Sequence, residues 1–172
     1  MAGKARPGST AEQAHAQMDR LIALGIVAQH DVAQRLGLNV TDLTCLGFVL
    51  EAGDTPLTAG ELADRANLTT GAISGVITRL ERAGYARRIS DPGDRRRVRV
   101  VPDESGVARV FEVYEPNHRR LAELFGGYSP EEIALLSDWF SRATAIMSAS
   151  LEEVRGTGAA SAAGSTDLGE QA

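Results

Sequence analysis

The chain has 172 residues, 43% of them hydrophobic and 24% charged, enough for one domain or for two small lobes sharing a core. No run approaches the roughly 18 apolar residues of a membrane span. The opening "MAGKARPGST" lacks the apolar stretch of a secretory signal, and the single cysteine, Cys45, excludes an internal disulfide framework. A cytoplasmic protein with no membrane partner is therefore expected. The net charge of −5 argues against a polyanionic partner, but it is unevenly spread. Residues Leu57 to Val101 hold nine arginines and five acids, a net +4, which leaves −9 on the rest. A basic module inside an acidic chain suits a polyanion; a solvated, arginine-rich surface is the plain alternative.

In chain order, residues 1–10 and 156–172 are rich in Gly, Ala and Ser without periodicity and read as disordered tails. Residues 11–36 read as a helix, with Met18, Leu21, Ile22, Gly25, Ala28, Val32 and Leu36 on one stripe and Gly37 as its stop. Thr41 is expected to cap a second helix, ended by Gly53, with Leu43, Leu46, Gly47 and Leu50 on one face. Thr58 and Glu61 form a capping box for a third helix, closed by Asn67. A fourth starts at Thr69 or Thr70 and ends at Gly84, its apolar side carried by Ile73, Val76, Ile77 and Leu80. Two short helices meeting at a tight turn make a helix-turn-helix.

Two strand-like runs follow, "YARRI" and "RRVRVV", joined by Asp91-Pro92-Gly93-Asp94, where Pro and Gly suit the centre of a type II turn. A hairpin on the end of a helix-turn-helix is a winged helix. Strand alternation sends Val98 and Val100 to the core, Asp94 and Arg96 to that same side, and Arg95, Arg97 and Arg99 outward. Asp94 can then pair with Arg96 as a wing-structuring strut. From Asp103 to Phe125 the pattern is helical again, kinked or restarting at Pro116. Ser129-Pro130-Glu131-Glu132 is a strong helix start. Ile133, Leu136, Phe140, Ala143, Met147, Leu151 and Val154 then make a near-heptad seam. The fold class is mainly α with a small β-wing: a winged-helix lobe at 41–101, flanked by amphipathic helices at 11–36 and 103–155 that pack within one chain or interleave with a second copy. The second copy is preferred, since homodimers are the default symmetric state and two wings on a two-fold axis suit a duplex.

A recognition helix offers short polar side chains at its N-terminal end and an apolar face behind. Thr69, Thr70, Gly71, Ser74, Gly75, Thr78 and Arg79 meet the first demand, and the amides of Thr70 and Gly71 are ready phosphate ligands. Gly71 and Gly75 leave a bare strip, for close approach of DNA or for loose packing on a neighbouring helix. Arg95 and Arg97 are the wing's candidate contacts, Arg95 reaching toward a minor groove.

The stretch "LTAGELADRANLTTGAISGVITRLERAGYARRISDPGDRRRVRVVPDESG" resembles the winged-helix core of the MarR family of bacterial transcriptional regulators. The match is strongest at "RLERAGYARR" leading into "DPGDRRRVRV", and with the flanking helices it covers roughly residues 11–155. The resemblance implies a homodimer, a pseudo-palindromic double-stranded DNA site and often a small aromatic or lipophilic effector. One departure is visible: Pro102-Asp103 stands where the family usually has Leu-Thr, so the next helix should start at a shifted position, capped by Asp103. A pocket would lie between helices 11–36, 41–52 and 105–125, lined by His30, Phe48, Phe111, Tyr114 and His118, all of which are also ordinary core candidates.

No catalytic, metal or cofactor site is legible. His15, His30 and His118 are scattered, and "GDRRR" lacks the lysine of a phosphate loop. Cys45 lies among apolar neighbours, where a thiol is usually inert filler. The reading is a ligand-responsive DNA-binding regulator, a repressor being preferred over an activator. Its rival is a winged helix kept as a protein-interaction module.

Overall fold

A computed structural model describes residues 8–91, 93–94 and 97–164, the side chains of 157–164 excepted. It has six helices and three short strands among the described residues: α1 (Ala11–Arg35), α2 (Val40–Glu51), β1 (Leu57–Thr58), α3 (Ala59–Ala66), α4 (Thr70–Arg82), β2 (Ala86–Ser90), β3 (Val98–Pro102), α5 (Glu104–Phe125) and α6 (Pro130–Gly164). The described residues divide into two compact units, 8–119 and 120–164. This division differs from the expected one of a 41–101 lobe with flanking helices, because α1 and the first part of α5 pack on the lobe's own core.

That core is aliphatic. Leu46, Leu62, Ile73, Val76, Ile77, Leu80 and Val100 are no more than 1% exposed, and Ala33, Leu36 and Leu38 from the end of α1 join them with Val110 of α5. The Tyr85 hydroxyl donates to the carbonyl of Leu36 at 2.8 Å, so a buried polar tip is satisfied by the chain just after α1. α5 closes over the end of α4. Arg109 lies over the Tyr85 ring and donates to the carbonyls of Ala83 and Gly84 at 2.7 and 3.1 Å, the free acceptors at a helix C-terminus. Gly106 makes this approach possible. A Cβ there would stand 2.3 Å from the Gly84 carbonyl oxygen and 2.6 Å from Tyr85 Cα.

Several starts and stops are as the sequence reads. Thr58 and Glu61 form the capping box of α3, Asn67 closes it in the left-handed region at φ 53°, and Gly37, Gly53 and Gly84 take positive φ after their helices. α4 is capped by Thr69, whose hydroxyl accepts from Ala72 N. Asp103, just before α5, accepts from Ser105 N and Oγ at 3.1 and 2.6 Å. Those bonds, the Ser105 hydroxyl first, hold its carboxyl below the usual range. In the second unit Ser129 and Glu132 exchange reciprocal bonds at the start of α6.

Four expectations are corrected or narrowed. Asn39, not Thr41, caps α2, its Oδ1 accepting from Asp42 N at 2.8 Å; Asn is the stronger cap, and Thr41 falls inside the helix. Of the two alternatives at Pro116, a kink or a restart, the restart is excluded, since α5 runs unbroken through it. α6 continues through Gly164, beyond the expected limit at 155, while residues 1–7 and 165–172 of the expected tails lie outside the described residues. Finally, Leu57 and Thr58 form a third strand, giving an antiparallel sheet of order β1-β3-β2.

Candidate nucleic-acid interface and adjoining cavity

α4 buries Ile73, Val76, Ile77 and Leu80 completely and presents Thr69, Thr70, Gly71, Ser74 and Thr78 to solvent, with Gly75 half-buried between them. The first turn leaves the Thr70 and Gly71 amides without acceptors in the helix. Among the described residues no neighbouring helix explains the two glycines. An added Cβ at Gly71 would meet nothing within 4 Å, and at Gly75 only Arg79 Nη1 of the same helix at 3.4 Å. The bare strip is open surface, and packing does not require it.

The polar side chains along this face are more constrained than their exposure suggests. Ser74 and Thr78 each bond back to the carbonyl one turn earlier at 2.9 Å. Arg88, reaching over from β2, pairs with Glu81 and lies 3.4 Å from both the Ser74 carbonyl and the Thr78 hydroxyl. Sequence reading did not single out Arg88. Its signal was the acid Glu81 on the adjacent helix end, an ion pair that joins recognition helix and wing strand. Arg79, expected as an outward DNA contact, is half in solvent but committed to a partner within the lobe. Its Nε and Nη2 grip the Asp42 carboxylate of α2 at 2.7–3.1 Å. Asp42 is 2% exposed, and this fork is what satisfies it. The pairing holds the Arg79 guanidinium even more firmly charged than usual, the bond to Asp42 outweighing its partial desolvation.

The wing departs from simple alternation. Ser90 pairs with Val98, and the intervening loop is closed by Asp91 N donating to Arg97 O at 3.0 Å and Arg97 N donating to Asp94 O at 2.8 Å. Residues 94 and 97 therefore lie outside the strands, and parity does not reach them. Val98 is 41% exposed where the core was expected, while Val100 is buried. Arg99 is not outward either. It donates to Asp91 at 2.6 Å and to the Pro56 carbonyl, tying the wing to the segment before β1. Asp91 also accepts from Gly93 N at 2.7 Å. The Gly93 amide first, and then Arg99, hold its carboxyl below the usual carboxylate range. Arg97 and Asp94 are exposed at the tip; Pro92, Arg95 and Arg96, and with them the expected Asp94–Arg96 pair and type II turn, lie outside the described residues.

Behind α2, on the side away from Arg79, a half-open cavity of about 470 Å³ is bounded by α1, α2 and α5. Phe48, Phe111, Tyr114 and His118 line it as expected, the last two stacked at 6.0 Å. His30 does not; it is exposed and bonds Gln34 at 3.0 Å, and Gln29 takes the lining position one residue earlier. Cys45 is fully buried beside Asp42, and burial first, then that carboxylate, pushes its thiol up, so it stays protonated. Among the described residues no group of three or more His, Cys, Asp or Glu could hold a metal, and no helix is long and apolar enough to cross a membrane.

The MarR family model matches residues 36–97, from the end of α1 to the foot of β3. The uncharacterized HTH-type transcriptional regulator YcgE of Bacillus subtilis is 36% identical over 148 residues, 86% of this chain and 95% of that protein. The HTH-type transcriptional repressor YetL of the same organism is 31% identical over 67% of this chain and 71% of its own length. Among solved structures, the S. aureus MepR–DNA complex superposes with a TM-score of 0.51 at 19% identity, over 74% of this chain and 98% of that one.

Proposed function

The chain belongs to the MarR family of winged-helix transcriptional regulators, and from that premise we propose that it works in the cytoplasm as a homodimer on double-stranded DNA, repressing by occupying a pseudo-palindromic site. The observation that carries this is the exposed N-terminal half of α4. It joins free first-turn amides to a glycine strip on which no other described element packs, only the Arg79 side chain of the same helix coming near Gly75. Phosphates would take the Thr70 and Gly71 amides, and base edges the Thr69, Ser74 and Thr78 side. Arg97 and Arg95 of the wing would reach the neighbouring groove. Arg79 is assigned to shaping the lobe.

Dimerisation is supported by apolar side chains left in solvent. On α1 these include Leu21, Leu24, Ile26 and Val27, at 58–66% exposure; on α6, Leu135, Ile146 and Val154 reach 68–69%. Faces of this kind are stable in water only when covered. The cavity behind α2 would hold a small aromatic or lipophilic effector, since it shares that helix with the Asp42 anchor of α4. Repression is the mode stated for YetL.

Selection from a random duplex pool tests the reading, followed by titration of the selected site against salt. A two-fold symmetric consensus is expected, with affinity falling about a hundredfold or more between roughly 50 and 200 mM salt as counterions are released. No sequence preference, or an affinity flat in salt, would leave the lobe as a protein-interaction module.

A further inference from the structure

The charges around the cavity behind α2 are one-sided. Among its lining residues there is no lysine and no arginine. The polar functions are the neutral Gln29 and Thr44, which bond each other at 3.0 Å, the Tyr114 hydroxyl, the His118 imidazole, and the Glu51 carboxylate at the rim. The remaining wall is dominated by ring faces and aliphatic carbons: Phe48, Phe111, and the stacked Tyr114 and His118.

A carboxylate or sulfonate ligand entering this space would find no lysine or arginine in the lining, with Arg65 at the rim already paired to Glu51, and would itself face that carboxylate. Burying an uncompensated anion is costly. A flat cation meets the opposite situation. Its charge can sit over ring faces, whose quadrupoles attract it, and near Glu51. Among the described residues, that acid pairs with Arg65 at 3.5 Å, with side-chain exposures of 47% and 70% for Arg65 and Glu51. So exposed a pair contributes little, and a buried ligand charge can displace it. Arg65 also leans over Phe48 at 6.0 Å, the kind of site the ligand would occupy inside the cavity.

Resting on the effector reading above, we infer that this cavity selects planar aromatic cations and rejects aromatic anions, with Glu51 as the residue that sets the preference. Size fits: 470 Å³ lies within the range of small-molecule sites and admits a fused two- or three-ring molecule.

The test uses three probes of one shape on the full chain: N-methylquinolinium, 1-methylnaphthalene and 1-naphthoate, titrated by calorimetry at pH 8. The cation should bind tightest, the neutral hydrocarbon next, and the anion at least about tenfold more weakly than the neutral one. Glu51→Gln, at an exposed position, should cost the cation about fivefold and leave the neutral probe unchanged. A Gly47→Phe variant locates the binding. Gly47 lines the cavity, with nothing within 4 Å of an added Cβ, so a ring there is expected to enter the space, and an unchanged melting temperature checks that the fold is kept. If the probes bind and Gly47→Phe blocks them, but the anion matches the cation or Glu51→Gln changes nothing, the charge preference is wrong and the effector cavity stands. If none binds, or Gly47→Phe blocks nothing, the effector cavity itself is wrong and the preference falls with it.

Discussion

Arg99 Nε donates to Asp91 Oδ2 at 2.6 Å, and this pair adds a side-chain tie to the backbone bonds that close the base of the wing, with side-chain exposures of only 26% and 8%. Asp91 meanwhile takes the Gly93 amide, so the carboxylate fixes the loop's entry as it binds its exit strand. An acid within an arginine-rich loop is thus an internal tie. Asp91→Ala removes a negative charge close to the proposed DNA surface, yet should weaken operator binding by about tenfold, since the arginines lose their frame. Equilibrium titration against the selected operator checks this; equal or tighter binding would mean that the carboxylate only repels DNA.

The same pair gives a pH expectation. Because the folded-state pKa of Asp91 is depressed, its stabilising contribution is present above the ordinary carboxyl value of about 3.9 and is lost as pH falls through the lower folded value. Wing protection in amide exchange should therefore be constant from about pH 5 to 8 and fall only in stronger acid. Loss of protection near pH 6 would show that another group governs the wing.

Gly106 makes a stability prediction. Its missing Cβ lets α5 cross the Gly84–Tyr85 backbone, and two of the atoms an alanine would strike are backbone, which cannot swing aside. Gly106→Ala should cost about 3 kcal/mol or more, unlike an ordinary helical Gly→Ala exchange, which stabilises. Thermal melting reads the difference directly.

Local chemistry was legible where a residue acts on its own neighbours. Thr58 with Glu61, Asn67, Thr69 and the Ser129 start all act within a few residues, and each is as expected. Long-range commitments were not. The partner of Arg79 is 37 residues away, and a lone aspartate inside an apolar helix gives no sign of which cation it holds. The wing misled because alternation was extended past Val98 into a loop that backbone bonds from Asp91 and Arg97 had already closed. β1 is two residues long and carries no periodicity at all. Asn39, by contrast, was readable, as a better cap than Thr41 only two positions away.

Asp42 and Arg79 should be unequal partners. Removing Arg79 strands a carboxylate that is 2% exposed, whereas removing Asp42 frees a guanidinium already half in solvent. Arg79→Leu should therefore destabilise by about 2–3 kcal/mol, below the figure for a fully buried pair because one end is wet, and Asp42→Asn by less. Chemical denaturation of both single variants and the double variant measures the coupling. Equal costs, or none, would remove the pair as the anchor of α4.

Gly71 separates stability from function most cleanly, because the two should move in opposite directions. It sits in the first turn of α4 with open space around an added Cβ and an ordinary helical backbone. Gly71→Ala should therefore stabilise the isolated protein by about 0.5–1 kcal/mol, by lowering the entropy of the unfolded chain and favouring the helix. A contact with something that approaches from outside would offset that cost. If DNA backbone comes against the amide of residue 71, the methyl group should weaken operator binding by about tenfold while the melting temperature rises. Melting and binding measured on one preparation check both signs. A variant that is more stable and binds equally well would place the strip outside the interface and leave the phosphate contacts to the wing arginines.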